Sequence, residues 1–187
     1  MMPSLKITFP ENHPLLVTER LHLKWPQLSD AGELFEMRSN PEYMRFIGKY
    51  PMKEHSEAEE YIHKIHDGFQ QKKGISWKIC EKGSEKLIGY IGFWSIDYEH
   101  FRTEIGYGLH QDYQQKGYLT EALNALSSYV FNALGLHSIE ANADVYNLAT
   151  IRLLEKCGFE KEAHYRENFF FDGKFLDSAI YCLVNKI

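Results

Sequence analysis

The residues best suited to chemistry lie in one stretch, Thr103–Leu126. It reads Thr-Glu-Ile-Gly-Tyr-Gly-Leu, then His-Gln-Asp-Tyr-Gln-Gln-Lys-Gly-Tyr-Leu, then Thr-Glu-Ala-Leu-Asn-Ala-Leu. Ile105, Tyr107 and Leu109 alternate as on a strand, whereas Leu119, Leu123, Leu126 and Val130 recur at helical spacing. A helix that begins near Gly117 presents unpaired backbone N–H groups and about half a unit of positive charge at its first turn. Lys116 adds a cation, and Gly117 lets the backbone approach a ligand closely. The stretch reads as a cradle for a pyrophosphate. Lys116 is not a Walker-type lysine, because it precedes the glycine and no glycine stands five residues before Gly117.

A cradle needs a body to hold it. The chain has 187 residues, which fits one domain with a substantial core, and residues 1–14 with Pro3, Pro10 and Pro14 read as an irregular leader. Its 44% hydrophobic and 14% aromatic content is that of a globular protein. A net charge of −5 without a Lys/Arg-rich run argues against nucleic acid as the main partner. Cys80, Cys157 and Cys182 are widely spaced and odd in number, so neither a disulfide framework nor a zinc knuckle is expected. A reducing cytoplasm is the simplest setting. The first residues, Met-Met-Pro-Ser-Leu-Lys, carry no apolar signal region, and no 18-residue apolar run suggests a membrane span.

The remaining elements follow in order. Leu16–Trp25 alternates and reads as a first strand, ended by Pro26. Ser29-Asp30 cap a helix with Ala31, Leu34, Phe35 and Arg38, which stops before Asn40-Pro41. Residues 41–55 look like loop. Ser56 with Glu59 forms a capping-box pattern for a helix running to about Lys73. Ile75–Glu81 and Lys86–Ile96 are strands about a turn at Lys82–Glu85, and a third strand enters the opening stretch. The long helix runs to about Leu134, His137–Asp144 is a strand, and Asn147–Cys157 is a helix capped by Asn147 and ended by Gly158. Phe159–Phe171 and Lys174–Asn185 close the chain as an antiparallel pair. The sum is a mixed α/β sheet of about seven strands with helices on both faces.

Gln114-Gln115-Lys116-Gly117-Tyr118-Leu119 resembles motif A of the GNAT acyltransferase superfamily, Gln/Arg-x-x-Gly-x-Gly/Ala. Asn147-Leu-Ala-Thr150 through Gly158-Phe159 resembles its motif B. Glu19-Arg20-Leu21-His22-Leu23, Glu104-Ile-Gly-Tyr and Gly-Tyr-Leu-Thr-Glu-Ala-Leu look like the RimJ/RimL-type ribosomal-protein N-acetyltransferase branch. The likeness spans roughly residues 16–185 and implies a GNAT-like fold, acetyl-CoA binding without a metal, and transfer of an acetyl group to a primary amine. It further implies that loop amides from Gln115 to Thr120 hold the diphosphate and that pantetheine pairs with the strand near Leu109. Asn147 and Thr150 match positions that contact pantetheine or position the thiol. The acceptor it implies is a small-molecule or peptide amine, a ribosomal-protein N-terminus among them, and the chain would work as a monomer or homodimer away from any membrane.

Three positions depart from the motifs. Gln115 and Leu119 stand where smaller residues are common. Leu154 stands where many members carry the Tyr that protonates the leaving thiolate, so that proton is left to solvent, Tyr165 or Tyr181. Glu104, five residues before Leu109, is the first candidate for the base that takes the amine proton, directly or through water. A structural ion pair with a nearby Arg, or a structural hydrogen bond, is the competing role for it. An α-amine with a pKa of about 7.8 is roughly one-tenth neutral at pH 7, whereas a lysine is neutral to well under about 0.1%. An α-amine therefore manages with a weak base. A backbone N–H at Leu109 is a candidate donor to the oxygen that gains charge during transfer.

Other residues have plainer readings. His63 and His66 share metal-compatible spacing but no third ligand in sequence, and read as a solvated helix face. Cys157 reads as a small core residue rather than a nucleophile. Phe169-Phe170-Phe171 serve packing or line a substrate pocket, and Tyr146 is core or cleft. The acceptor segment falls in residues 26–72, where motif character is least. The alternative function is a non-catalytic CoA-binding sensor or partner module on the same scaffold.

Overall fold

In a computed structural model that describes residues 6–186, the chain forms one twisted sheet in the order β1-β2-β3-β4-β5-β6-β8-β7. The strands are β1 (Leu16–Val17), β2 (Leu21–Lys24), β3 (Ile75–Glu81), β4 (Gly89–Asp97), β5 (Arg102–Leu109), β6 (Ser138–Asp144), β7 (Glu160–Phe171) and β8 (Lys174–Val184). Five α-helices accompany them among the described residues: α1 (Ala31–Arg38), α2 (Pro41–Met44), α3 (His55–Gln70), α4 (Tyr118–Tyr129) and α5 (Leu148–Lys156).

The strand expected over Leu16–Trp25 divides in two, which gives eight strands instead of about seven. Thr18 is the cause. Its N–H donates to Leu21 O at 3.0 Å, and its hydroxyl accepts from Leu21 N at 2.9 Å. The chain turns there and pairs β1 with β2 antiparallel. Residues 41–55, expected as loop, begin with the short helix α2. Asn40 Oδ1 accepts from Glu42 N at 2.9 Å, and Pro41 occupies the first helical position, where its missing N–H costs nothing. The capping box of α3 sits two residues earlier than the sequence suggests. Glu57 accepts from Glu54 N at 3.0 Å. The long helix ends in a π-helical turn, Val130–Leu134, closed by Gly135 at φ 79°.

Alternation along the strands gives the sheet two unlike faces. One carries Leu21, Leu23, Trp77, Ile79, Ile91, Phe93, Ile105 and Leu109, packed against Ala122, Leu123 and Leu126 of α4 and Leu154 of α5. Each such fully buried aliphatic side chain contributes about 1.5–3 kcal/mol. That burial fixes the start of α4 rigidly over the sheet. The other face carries Tyr90, against which Ala31 and Leu34 of α1 and Ala58 and Ile62 of α3 form a second cluster. A buried ion pair, Lys78 Nζ to Asp30 Oδ1 at 2.7 Å, ties the entrance of α1 to β3.

The leader is irregular but not loose in its described part. Thr8 N donates to Leu134 O at 2.9 Å, and Trp77 Nε1 donates to Pro14 O at 2.6 Å. His13 packs against Trp25 and Trp77, and burial lowers its pKa to about 4. Pro3 and the rest of residues 1–5 lie outside the described residues, as does Ile187. His66 is not solvated as expected. It stacks on Trp25 at 4.3 Å, and its Nε2 lies 2.9 Å from Pro26 O. No described helix is long and apolar enough to cross a membrane.

Candidate functional site

The cradle forms where β5 runs out into α4. Gly117 has φ 80°, the left-handed region that L side chains rarely adopt, and serves as the N-cap of α4. The first intrahelical donor is Glu121, whose N–H reaches Gly117 O at 3.1 Å. The N–H groups of Tyr118, Leu119 and Thr120 thus have no helical acceptor, and Gly117 offers no capping side chain. Three free amides at a helix N-terminus form a site for an anion such as a diphosphate. Gln115 also lies in the left-handed region, at φ 60°. For a non-glycine residue this conformation costs about 1–2 kcal/mol, held by the surrounding structure.

That support comes from the turn between β1 and β2. Arg20 donates from Nη1 to Lys116 O at 2.9 Å and from Nε to Glu121 Oε2 at 2.7 Å. Its guanidinium also lies over the Tyr118 ring at 4.7 Å. Glu121 accepts further from Thr18 Oγ1 and from Arg20 N, and these hydrogen bonds hold its carboxyl below the usual range despite opposing desolvation. Tyr118 donates to Glu81. Lys116 stands over the Tyr113 ring at 5.0 Å. Arg20 and Glu121 each stand in a stretch that carries the resemblance, but their pairing across 101 residues is not legible in either. Gln114 turns inward, its Nε2 donating to Leu109 O at 3.2 Å.

Beside the cradle the sheet parts. Parallel pairing of β5 with β6 runs from Arg102↔Ser138 only to Ile105↔Ala141. Beyond that point β5 remains paired with β4 through Leu109↔Gly89, and β6 remains paired with β8 through Asp144↔Ser178. His110 N donates to Ile88 O at 2.8 Å, so alternate residues of β5 direct their backbone groups to β4. The N–H groups of Tyr107 and Leu109 therefore face the opened edge. An amide-bearing chain laid along this edge restores the missing pairing.

The parting opens into a cavity of about 390 Å³. Glu104, Tyr107, Asn147 and Thr150 all line it. Glu104 and Tyr107 are three residues apart and point to opposite faces of β5. Only the gap between β5 and β6 lets one cavity reach both. On the α5 side, Asn147 Oδ1 accepts from Thr150 N at 3.2 Å, so the asparagine caps α5 as well as lining the cavity. Tyr107 Oη is buried beside Thr150 without a hydrogen bond of good geometry, and burial raises its pKa. On the other side, Gly106 makes room for Trp94, since a Cβ there would fall 2.1 Å from the ring.

Glu104 is half-buried between Trp94 and the β6 neighbour Glu140. Burial raises its pKa, and Glu140 adds to the shift against a lowering hydrogen bond from Trp94. The nearby Arg102 is committed to Glu140, Nη2 to Oε2 at 2.6 Å. The structural ion pair weighed for Glu104 is therefore made by its neighbour, whereas a structural hydrogen bond is supplied by Trp94. The two candidate tyrosines stand apart from the cavity lining. Tyr165 is 52% exposed on β7, and Tyr181 is buried on β8 opposite Ala141. Leu154 is buried in the main core. Phe169 and Phe171 line the cavity, while Phe170 faces outward against Phe175. Tyr146 is exposed at 75%. Part of the acceptor segment does arrive: Arg38, Arg45–Lys49 and Tyr61 form one wall. Among the described residues no three His, Cys, Asp or Glu side chains gather as metal ligands would.

The acetyltransferase (GNAT) domain family matches residues 20–160. The chain belongs to the GNAT family. YoaA of Bacillus subtilis, an uncharacterized N-acetyltransferase, is 36% identical over 171 residues, covering 91% of this chain and 97% of that one. The ribosomal protein uS5-alanine N-acetyltransferase of Escherichia coli is 28% identical over 120 residues, 64% of this chain and 62% of its own. A solved spermidine N-acetyltransferase from Vibrio cholerae, in complex with CoA and spermine, superposes with a TM-score of 0.77 at 25% identity, over 88% of this chain and 95% of that one. This GNAT chain is an acetyl-CoA-dependent N-acetyltransferase of the RimJ/RimL-like kind, acting on amines. The free amides at Tyr118–Thr120 and the open edge at Tyr107–Leu109 fit a diphosphate and a pantetheine arm respectively.

Proposed function

We propose that this GNAT enzyme acetylates an α-amine entering from the α1–α3 side of the sheet, with Glu104 taking the amine proton. The observation that carries this reading is the parting of β5 from β6. It puts a carboxylate with no cationic partner among the described residues and the Tyr107–Thr150 hydroxyls on one cavity, from opposite faces. Acetyl-CoA, when bound, supplies a thioester carbonyl open to attack by a neutral amine. Tyr118–Thr120 N–H groups hold the diphosphate, with Gln115 and Lys116 shaping the loop before them. Gln114 fixes Leu109 O, and the Leu109 N–H donates to pantetheine or to the oxygen that gains charge. Asn147 and Thr150 orient the sulfur end.

Tyr107 gives the thiolate its proton. A phenol is protonated at neutral pH; burial raises the Tyr107 pKa further and so makes it a weaker acid, but its buried hydroxyl stands beside Thr150 on the cavity. Tyr107→Phe is expected to lower kcat about tenfold while calorimetric CoA affinity holds. An unchanged kcat would return that role to solvent, Tyr165 or Tyr181.

Three free cysteines suit a reducing cytoplasm. The test follows free thiol release from acetyl-CoA over a panel of amines: peptide N-termini including ribosomal-protein ones, free amino acids and polyamines. Turnover on α-amines in preference to lysine side chains or polyamines is the expected result. Tight CoA binding with no turnover on any amine would favour the non-catalytic alternative.

A further inference from the structure

Arg38, the last residue of α1, is 5% exposed and lines the cavity. Its Nη1 donates to Tyr90 Oη at 2.6 Å, and its guanidinium lies over the Tyr61 ring at 4.5 Å. Its Nε is buried and has no hydrogen-bond partner. No carboxylate pairs with it among the described residues; the nearby Arg45, by contrast, is matched with Glu42 at 3.3 Å. A desolvated charge with an unmade donor is costly, and tyrosine rings relieve only part of that cost.

The other charges of the cavity do not neutralise it. Asp177 is engaged by His164 at 2.7 Å, and Asp144 accepts from Tyr146 N at 2.7 Å. Lys49, exposed on the same wall, adds a second positive charge. Glu104 lies on the same sheet face as Tyr90 and has no cationic partner among the described residues, so the cavity offers a cation and a carboxylate separately. We infer that the acceptor carries a carboxylate besides its amine, and that Arg38, which lines the cavity, binds this carboxylate while the amine goes to Glu104. This deepens the proposed α-amine acetylation and rests on it. A guanidinium matches a planar carboxylate in shape and charge. A polyamine would bring further positive charge beside Arg38 and is disfavoured.

The test compares acceptors of nearly equal amine basicity: Ala-Ala against its C-terminal amide, and Ala-Glu-amide against Ala-Gln-amide, with spermidine as contrast. The first pair reads a main-chain carboxylate and the second a side-chain one. Wild-type kcat/KM is expected to favour the carboxylate member of at least one pair about tenfold or more, mostly through KM. Arg38→Gln should bring that ratio below about twofold, and Arg38→Lys should keep part of it. A CoA-induced thermal shift in each variant reports that it is folded. Calorimetric titration of the same dipeptides into CoA-saturated enzyme reads the site without turnover. Equal use and equal binding of both members of both pairs would overturn the carboxylate site while leaving acetyl transfer standing. Retention of the full preference in Arg38→Gln would overturn it too. Absence of turnover with a carboxylate preference in calorimetry would overturn the proposed reaction and support the site.

Discussion

Glu104→Gln is expected to lower kcat at pH 7 by about tenfold or more, within the range by which a positioned base contributes. The substitution keeps the size and hydrogen-bonding reach of the side chain, so the KM for acetyl-CoA should hold. The pH profile is the sharper readout. Burial raises the Glu104 pKa above the ordinary carboxylate value. The base works only when ionised, so wild-type activity falls as pH drops through this raised value. An α-amine acceptor adds its own limb near about 8 in both enzymes. Wild-type kcat/KM should thus fall with two-proton steepness below the Glu104 pKa, and the variant with one. Identical acid limbs in the two enzymes would remove Glu104 from the base role.

Gly117→Val should raise the KM for acetyl-CoA about tenfold or more. At φ 80° a β-branched side chain is a genuine outlier, and the backbone relieves it by turning the peptide that precedes the free amides of α4. The anion site then loses aim, while the acceptor cavity is untouched. Gly117→Ala should do less, since its Cβ would meet only the flexible end of Arg20 at 3.4 Å. Calorimetry with CoA measures the effect directly. Unchanged CoA affinity in the valine variant would place the diphosphate elsewhere.

The two predictions draw on features that were unequally legible. Gly117, the loop before it and the amphipathic α4 are contiguous in sequence, and their conformation follows from local rules of period, capping and φ. The same holds for Asn147 as the cap of α5. Strand boundaries were less secure where a single hydrogen-bonding side chain, Thr18, turns the chain inside an otherwise alternating run. A capping box two residues out of place at α3 reflects the several carboxylates in that segment that can serve.

Local pattern therefore determined the loop–helix junction at Gly117, the order of strands and helices apart from the β1–β2 turn and α2, and Glu104 as a carboxylate on the strand that leads to the loop. What only the tertiary structure decided is which groups meet there. The end of β5–β6 pairing at Ile105↔Ala141 depends on register and twist between strands more than thirty residues apart, which no single window records. That parting brings Tyr107 to the cavity and leaves Tyr165 and Tyr181 outside its lining. Long-range contacts likewise set Arg20 on Glu121 beneath the loop, pair Arg102 with Glu140 instead of Glu104, and bury Arg38 among tyrosines with no carboxylate partner among the described residues. Charge and hydrogen-bond state belong to an environment, and that environment is assembled from both ends of the chain.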